Sequence, residues 1–171
     1  ISNGVPINGD IRYSGFGTLN QGDALAVNGT FFLQSGTYKT NGEDLDIETL
    51  WSNNGQTRAF DAKTSLININ GSGDVWDINE FNLSLSVDSC FLVLNHNTNS
   101  EVRFNPGGNL LSYNSLTVSA PNIYIIEEGN FGQFTIDPGV FIRFKAGSIF
   151  DITNFFAQGL CGEQIIIQSD R

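Results

Sequence analysis

Residues 134–158 read FTIDPGVFIRFKAGSIFDITNFFAQ, three apolar runs in quick succession, each closed by a short polar break. The runs alternate. Val140, Ile142 and Phe144 would point one way, and Phe141, Arg143 and Lys145 the other, as on a strand with one buried face. The same texture recurs at Leu25–Val27, Thr30–Leu33, Thr37–Thr40, Leu45–Glu48, Leu66–Ile69, Val75–Ile78, Leu83–Val87, Cys90–Leu94 and on to Gln164–Gln168. No window of a dozen residues carries a helical apolar period with caps, so the chain is expected to be all-β with little or no α-helix.

The breaks are turn chemistry. Asn28-Gly29, Asn41-Gly42, Asn54-Gly55 and Asn70-Gly71 supply residues that tolerate positive φ, and Pro106-Gly107 and Pro138-Gly139 add further corners. Two architectures use such strands. A β-sandwich joins them by hairpins, for which Asn-Gly is a strong signal. A right-handed parallel β-helix winds them into coils that stack. Comparable apolar runs begin near Leu45, Leu66, Leu83, Val102, Leu116, Phe134 and Phe150, an irregular period of about 18 residues. That spacing, with strands of three or four residues, favours the solenoid over the sandwich. Residues 1–22, rich in Gly and Asn, read as an irregular entry or cap, and 23–171 as solenoid coils forming a segment of a longer chain.

Charge narrows the partners. Eight basic residues face eighteen acidic ones, a net charge of −10. Nucleic-acid binding needs basic patches that displace counterions, and docking on anionic lipid needs the same sign. No run approaches a membrane-spanning length. With two cysteines, Cys90 and Cys161, and one histidine, zinc and thiol-redox sites are not expected. The two thiols could pair in an oxidising compartment or stay separate and buried.

Three groups of side chains could carry chemistry. In EDLDIE, Asp44, Asp46 and Glu48 would share one outward strand face, suited to calcium or to sugar hydroxyls, though a solvated face is the simpler account. In GDVWDINE, Asp74, Asp77 and Glu80 surround Trp76, the combination of ring stacking and hydrogen bonding that sugar binders use; the plainer account has Trp76 in the core and the acids in turns. Arg143, Lys145 and Asp151 could form a lyase-like site, against the simpler reading of a charge ladder with Asp137 and Asp151. His96 lies in a polar loop, LNHNTNSE, with no legible partner.

The stretches NGTFFLQSGTYKTNGEDLDI at 28–47 and FTIDPGVFIRFKAGSIFDITNFFAQG with IIIQSD at 134–170 resemble repetitive β-rich segments of large cell-surface and secreted proteins of Bacteroidota, commonly exported by the type IX route. The shared phrase is strand, Pro-Gly, Val-x-Ile-x-Phe-x-x-Gly, strand, x-Gly, strand, Gln-Ser. The resemblance implies a repeat protein at the cell surface or outside the cell, serving display, adhesion or polysaccharide contact. It hands over no catalytic residue. The expectation is therefore a non-enzymatic extracellular β-solenoid segment for display, adhesion or structural extension, with weak carbohydrate contact and calcium as its one conceivable cofactor. Its partners would be neighbouring segments of the same or another cell-surface chain and polysaccharide, without nucleic acid or membrane insertion. The alternative is part of a polysaccharide-degrading β-helix enzyme.

Overall fold

The computed structural model describes residues 5–108 and 111–170. Residues 1–4 of the expected entry and residue 171 lie outside the described residues. In chain order the strands are β1 (Ile7–Asn8), β2 (Ile11–Asn20), β3 (Leu25–Lys39), β4 (Leu45–Ser52), β5 (Arg58–Asp61), β6 (Leu66–Ile69), β7 (Gly73–Ile78) and β8 (Leu83–Leu94). They continue as β9 (Val102–Asn105), β10 (Ser112–Val118), β11 (Asn122–Ile125), β12 (Gly129–Ile136), β13 (Phe141–Phe144), β14 (Phe150–Ala157) and β15 (Ile166–Ser169). No helix occurs among the described residues.

Every ladder between these strands is parallel. The one antiparallel contact among the described residues is the isolated bridge of Leu160 with Glu163. The molecule is a β-solenoid of about eight turns, not a sandwich. A sandwich built of hairpins would have put neighbouring segments antiparallel. Here the Asn-Gly pairs turn corners within a coil. Asn41, at φ 59°, and Gly42, at φ 90°, turn the chain from the first coils into β4.

Each coil contributes three pairing segments, which stack into three strips. On the first strip Leu25 pairs with Leu45, then Ile67, Leu92, Leu116, Phe134 and Phe155. On the second, Ile11 is followed by Phe31, Leu50, Trp76, Phe104, Ile125 and Phe144. On the third, Leu19, Tyr38, Phe60 and Leu85 form one inward row, and Val87, Tyr113, Phe131 and Ile152 another. Burying each such side chain is worth about 1.5–3 kcal/mol relative to exposure. Rings run almost unbroken down the interior, from Phe31 through Tyr38, Phe60, Trp76, Phe104, Tyr113 and Phe131 to Phe134, with successive centroids 4.5–6.1 Å apart.

Two details differ from the sequence reading. Register partners are separated by as few as 18 residues (Ser115 and Gln133) and as many as 29 (Gly73 and Val102). The period of about 18 arose because Leu45 and Leu66 begin segments on the first strip, Leu83 on the third and Val102 on the second. Several strands are also longer than expected. β3 and β8 run unbroken round a corner, the first pairing with β4 and then β5. Where β3 bends, Gly36 adopts φ 79°, and a Cβ there would stand 2.2 Å from the Gly15 carbonyl oxygen, so the coil below leaves no room for a side chain.

The expected irregular entry also joins the ladder, because β1 and β2 pair in parallel with β3. At the opposite edge, Phe155 and Ile167 continue the core rows but are about half exposed.

Candidate functional site

Much of the buried polar chemistry lies at corners or at the strand ends beside them. At the corner leading into the first strip, Gln21 donates to the carbonyls of Asp23 and Asp44 and accepts from the Tyr38 hydroxyl at 2.5 Å. One coil on, Ser65 donates to the Thr40 hydroxyl, which donates to the Ala62 carbonyl at 2.8 Å. These groups are buried, and each bond replaces one lost to water.

The corner between the second and third strips is built round Arg58. It points inward in register with Gly36 and Leu83 and is only 2% exposed. Its guanidinium donates to the Ser52 carbonyl and hydroxyl, and to the carbonyls of Gln56, Phe81 and Asn79. Every acceptor is neutral, and desolvation pulls its pKa below the usual arginine range. The charge holds two successive loops in place through their carbonyls. Sequence reading passed over Arg58, because RAFD alternates like any half-buried strand and puts the charge on the inward side.

Outside that clamp lies a groove of about 310 Å³, lined by Asn53, Ile78, Asn79, Glu80, Asn105, Gly107, Gly108 and Glu127. Gly108, at φ 100°, lets the Glu80 carboxylate approach; a Cβ would stand 2.9 Å from its Oε2. Asn53 donates to Asp77 at 2.9 Å, and Asn105 donates to the Ile78 carbonyl. Burial raises the Asp77 pKa above the ordinary carboxylate value, the Asn53 hydrogen bond opposes that rise, and nearby Asp74 adds to it. Glu127, on the groove wall, is paired with Lys145 at 2.8 Å.

The GDVWDINE group is thus split. Asp77 and Glu80 are at or beside the groove. Asp74 lies on the outer sheet, paired with Arg103 at 3.0 Å. Trp76 is fully buried, stacked on Phe104 and edge-on to Phe60, so its ring has no free face for a sugar. A register shift between Asp74 and Trp76 places Val75 and Trp76 both inward, which alternation could not show.

In the EDLDIE stretch, Asp44 accepts from the Leu66 amide at 3.2 Å and Asp46 from the Asn68 amide at 2.6 Å, tying each to the next coil. Glu48 is exposed. No cluster of three or more His, Cys, Asp or Glu able to hold a metal ion is found among the described residues.

Arg143 pairs with Glu101 and lies over the Tyr124 ring, 5.0 Å from its centroid, while the Tyr124 hydroxyl donates to Asp170 at 2.7 Å. With Asp74 and Arg103 this makes a charge ladder on the second strip, but its carboxylates are not Asp137 and Asp151. Asp137 accepts from the Ser119 hydroxyl, and Asp151 sits on the third strip beside Ser112, Asn114 and Thr153. The three residues of the lyase-like group therefore do not converge. Cys90 is buried, its thiol donating to the Val87 carbonyl at 3.2 Å, and Cys161 is exposed; no disulfide joins them, so only one thiol is inside. His96 donates from Nδ1 to the Asn70 carbonyl at 2.8 Å, and its Nε2 lies 2.5 Å from the Thr98 hydroxyl.

The outward tryptophan is Trp51. It is partly exposed and lies beside Phe32, ring centroids 5.7 Å apart, and Arg12 covers Phe32 with its guanidinium carbon 3.8 Å from the ring centroid. Continuing the Leu45 and Ile47 alternation would have turned Trp51 inward. The corner at Glu48 instead turns Leu50 and Ser52 inward and Trp51 outward.

Compared with protein-family models, curated protein sequences and solved structures, the chain matches none.

Proposed function

We propose that this chain is a non-enzymatic extracellular β-solenoid segment that serves surface display, adhesion or structural extension and makes weak carbohydrate contact. The observation that carries the reading is the continuous stack of parallel coils, a form that extends by adding coils and presents a repeated surface. The apolar side chains exposed on the outermost coils, Ile7 and Leu19 at one edge and Phe155 and Ile167 at the other, support contact with neighbouring segments of the same or another cell-surface chain. The acidic balance of the chain keeps such a sheet-rich surface soluble.

The alternative, part of a polysaccharide-degrading enzyme, asks for an uncommitted base beside cationic groups in one groove. Arg143 and Lys145 are each neutralised by a glutamate, and Asp151 lies on another strip, which favours the non-enzymatic reading.

Antibody labelling of intact and lysed cells of the source organism tests the placement. Labelling of intact cells, or recovery of the protein from the medium, is the expected result; labelling only after lysis would overturn it. Incubation with a panel of polysaccharides should release no new reducing ends or unsaturated products, and their appearance would favour the enzyme.

A further inference from the structure

Read across the coils on the outer side of the second strip, Arg12, Phe32, Trp51, Asp77 and Asn105 are successive register partners. Adjacent members stand one inter-strand spacing apart, about 4.8 Å. The row thus runs from a cation through two rings to a carboxylate and an amide, and its far end opens into the groove with Glu80 and Asn53. We propose that this row is a saccharide-binding strip that takes a neutral glycan laid along the solenoid axis. This deepens the carbohydrate contact in the function proposed above and rests on it.

The chemistry suits that ligand at each position. The C–H face of a pyranose carries partial positive charge and meets the negative face of an aromatic ring, and the indole of Trp51 offers the largest ring on the outer surface of this row. Rings alone hold a sugar without orienting it; a few fixed polar groups at one end supply direction. Asp77 is already fixed by Asn53 at 2.9 Å, which leaves its second oxygen to accept from a sugar hydroxyl. Asn53 and Asn79 present further amides around the groove.

Charge selects among glycans. Arg12 is shared between Phe32 and Asp10, at 3.3 Å from the latter, so it offers no free cation. Glu80 and Asp77 stand at the groove end, and Glu127 is already paired with Lys145. A uronate or sulfated glycan would bring like charge to carboxylates and is disfavoured; a neutral one is not.

The test is calorimetric titration of the whole protein with neutral gluco-, galacto- and manno-oligosaccharides and, in parallel, galacturonate oligosaccharides. The proposal expects binding of at least one neutral series, with the uronates about tenfold weaker or absent. Trp51→Ala is expected to weaken that binding by about tenfold or more, whereas Phe91→Ala, on the exposed side of the first strip, leaves it unchanged. Circular dichroism of each variant, together with Trp51→Phe, which keeps a ring and should retain part of the affinity, separates loss of stacking from loss of fold. Neutral binding that survives Trp51→Ala overturns the assignment of the strip and leaves the carbohydrate contact standing. Preference for uronates overturns the assigned ligand class. Absence of binding to every glycan overturns both the strip and the carbohydrate contact, leaving display and extension to the cell-labelling test.

Discussion

The Trp76 indole N–H donates to the Tyr113 hydroxyl at 3.2 Å, and that hydroxyl donates onward to the Pro106 carbonyl at 2.7 Å, all inside the core. Two rings from different coils are thereby locked at one relative rotation, and the only polar atoms of both are satisfied. Removing the hydroxyl leaves a buried N–H and a buried carbonyl without their partner. Tyr113→Phe should cost about 1–3 kcal/mol in urea-induced unfolding, although it removes a single atom. In a double-mutant cycle with Trp76→Phe, the two changes should couple rather than add. Additive effects would show that the hydrogen bond contributes nothing.

The same burial sets an alkaline limit. Desolvation pushes the hydroxyls of Tyr38 and Tyr113 well above the ordinary tyrosine value. Below pH about 10 both folded and unfolded chains keep these protons, so stability does not depend on them. Above it the unfolded chain ionises and the native one does not, so stability falls as pH rises. Phenolate absorbance should show two of the four tyrosines titrating only when the protein unfolds. Smooth titration of all four in a still-folded protein would contradict the buried placement.

Arg58 is a clamp that lysine cannot replace. An ammonium has three donors on one atom and cannot span carbonyls as far apart as those of Ser52, Gln56, Asn79 and Phe81. Both Arg58→Lys and Arg58→Met should lower stability by about 3 kcal/mol or more, since each leaves buried carbonyls unpaired. Thermal unfolding measures this directly. A lysine variant as stable as the native protein would mean that the charge, not the fork of donors, matters.

Asp77 predicts a pH effect of the opposite kind to a salt bridge. Its native pKa is raised, chiefly by burial. Below the unfolded value, about 4, the carboxyl is neutral in both states. As pH rises from there through the native pKa, the unfolded chain ionises first, and this group subtracts stability. Asp77→Asn keeps an acceptor for Asn53 and removes the charge. Its stability relative to the native protein should therefore increase from pH about 4 up through the raised native pKa and then level off. A difference curve that falls over the same range would reverse the assignment.

How much of this was legible in the chain depends on corners. Where a segment stays on one strip, alternation reads correctly: Val140 and Ile142 are buried, Phe141 and Arg143 partly exposed, as the pattern around VFIRF requires. The absence of helix followed from the same signal, and the preference for stacked coils from the spacing and shortness of the apolar runs. Where the chain bends without a Gly-Pro marker, alternation slips. At Glu48 the slip turned outward Trp51, which the sequence had not singled out, and the Asp74–Trp76 bulge put Trp76 in the core, as the plainer of its two accounts had it. The partners of Arg143 and Lys145 were also hidden. Glu101 and Glu127 are close in space because one or two coils intervene, and coil length varies too much to count from the sequence.

Parallel stacking is what all of this depends on, and paired cysteine cross-links test it most directly. Ser112 is in register with Asn130 and Thr117 with Thr135, on strands β10 and β12. Neighbouring Cα atoms across such a ladder are about 4.8 Å apart, within disulfide reach. With Cys161 replaced by Ser, the double variants Ser112→Cys with Asn130→Cys and Thr117→Cys with Thr135→Cys should both oxidise to an intramolecular disulfide in the folded protein. Two strands running in opposite directions can bring at most one of these pairs together, so cross-linking of one pair and not the other would contradict the solenoid.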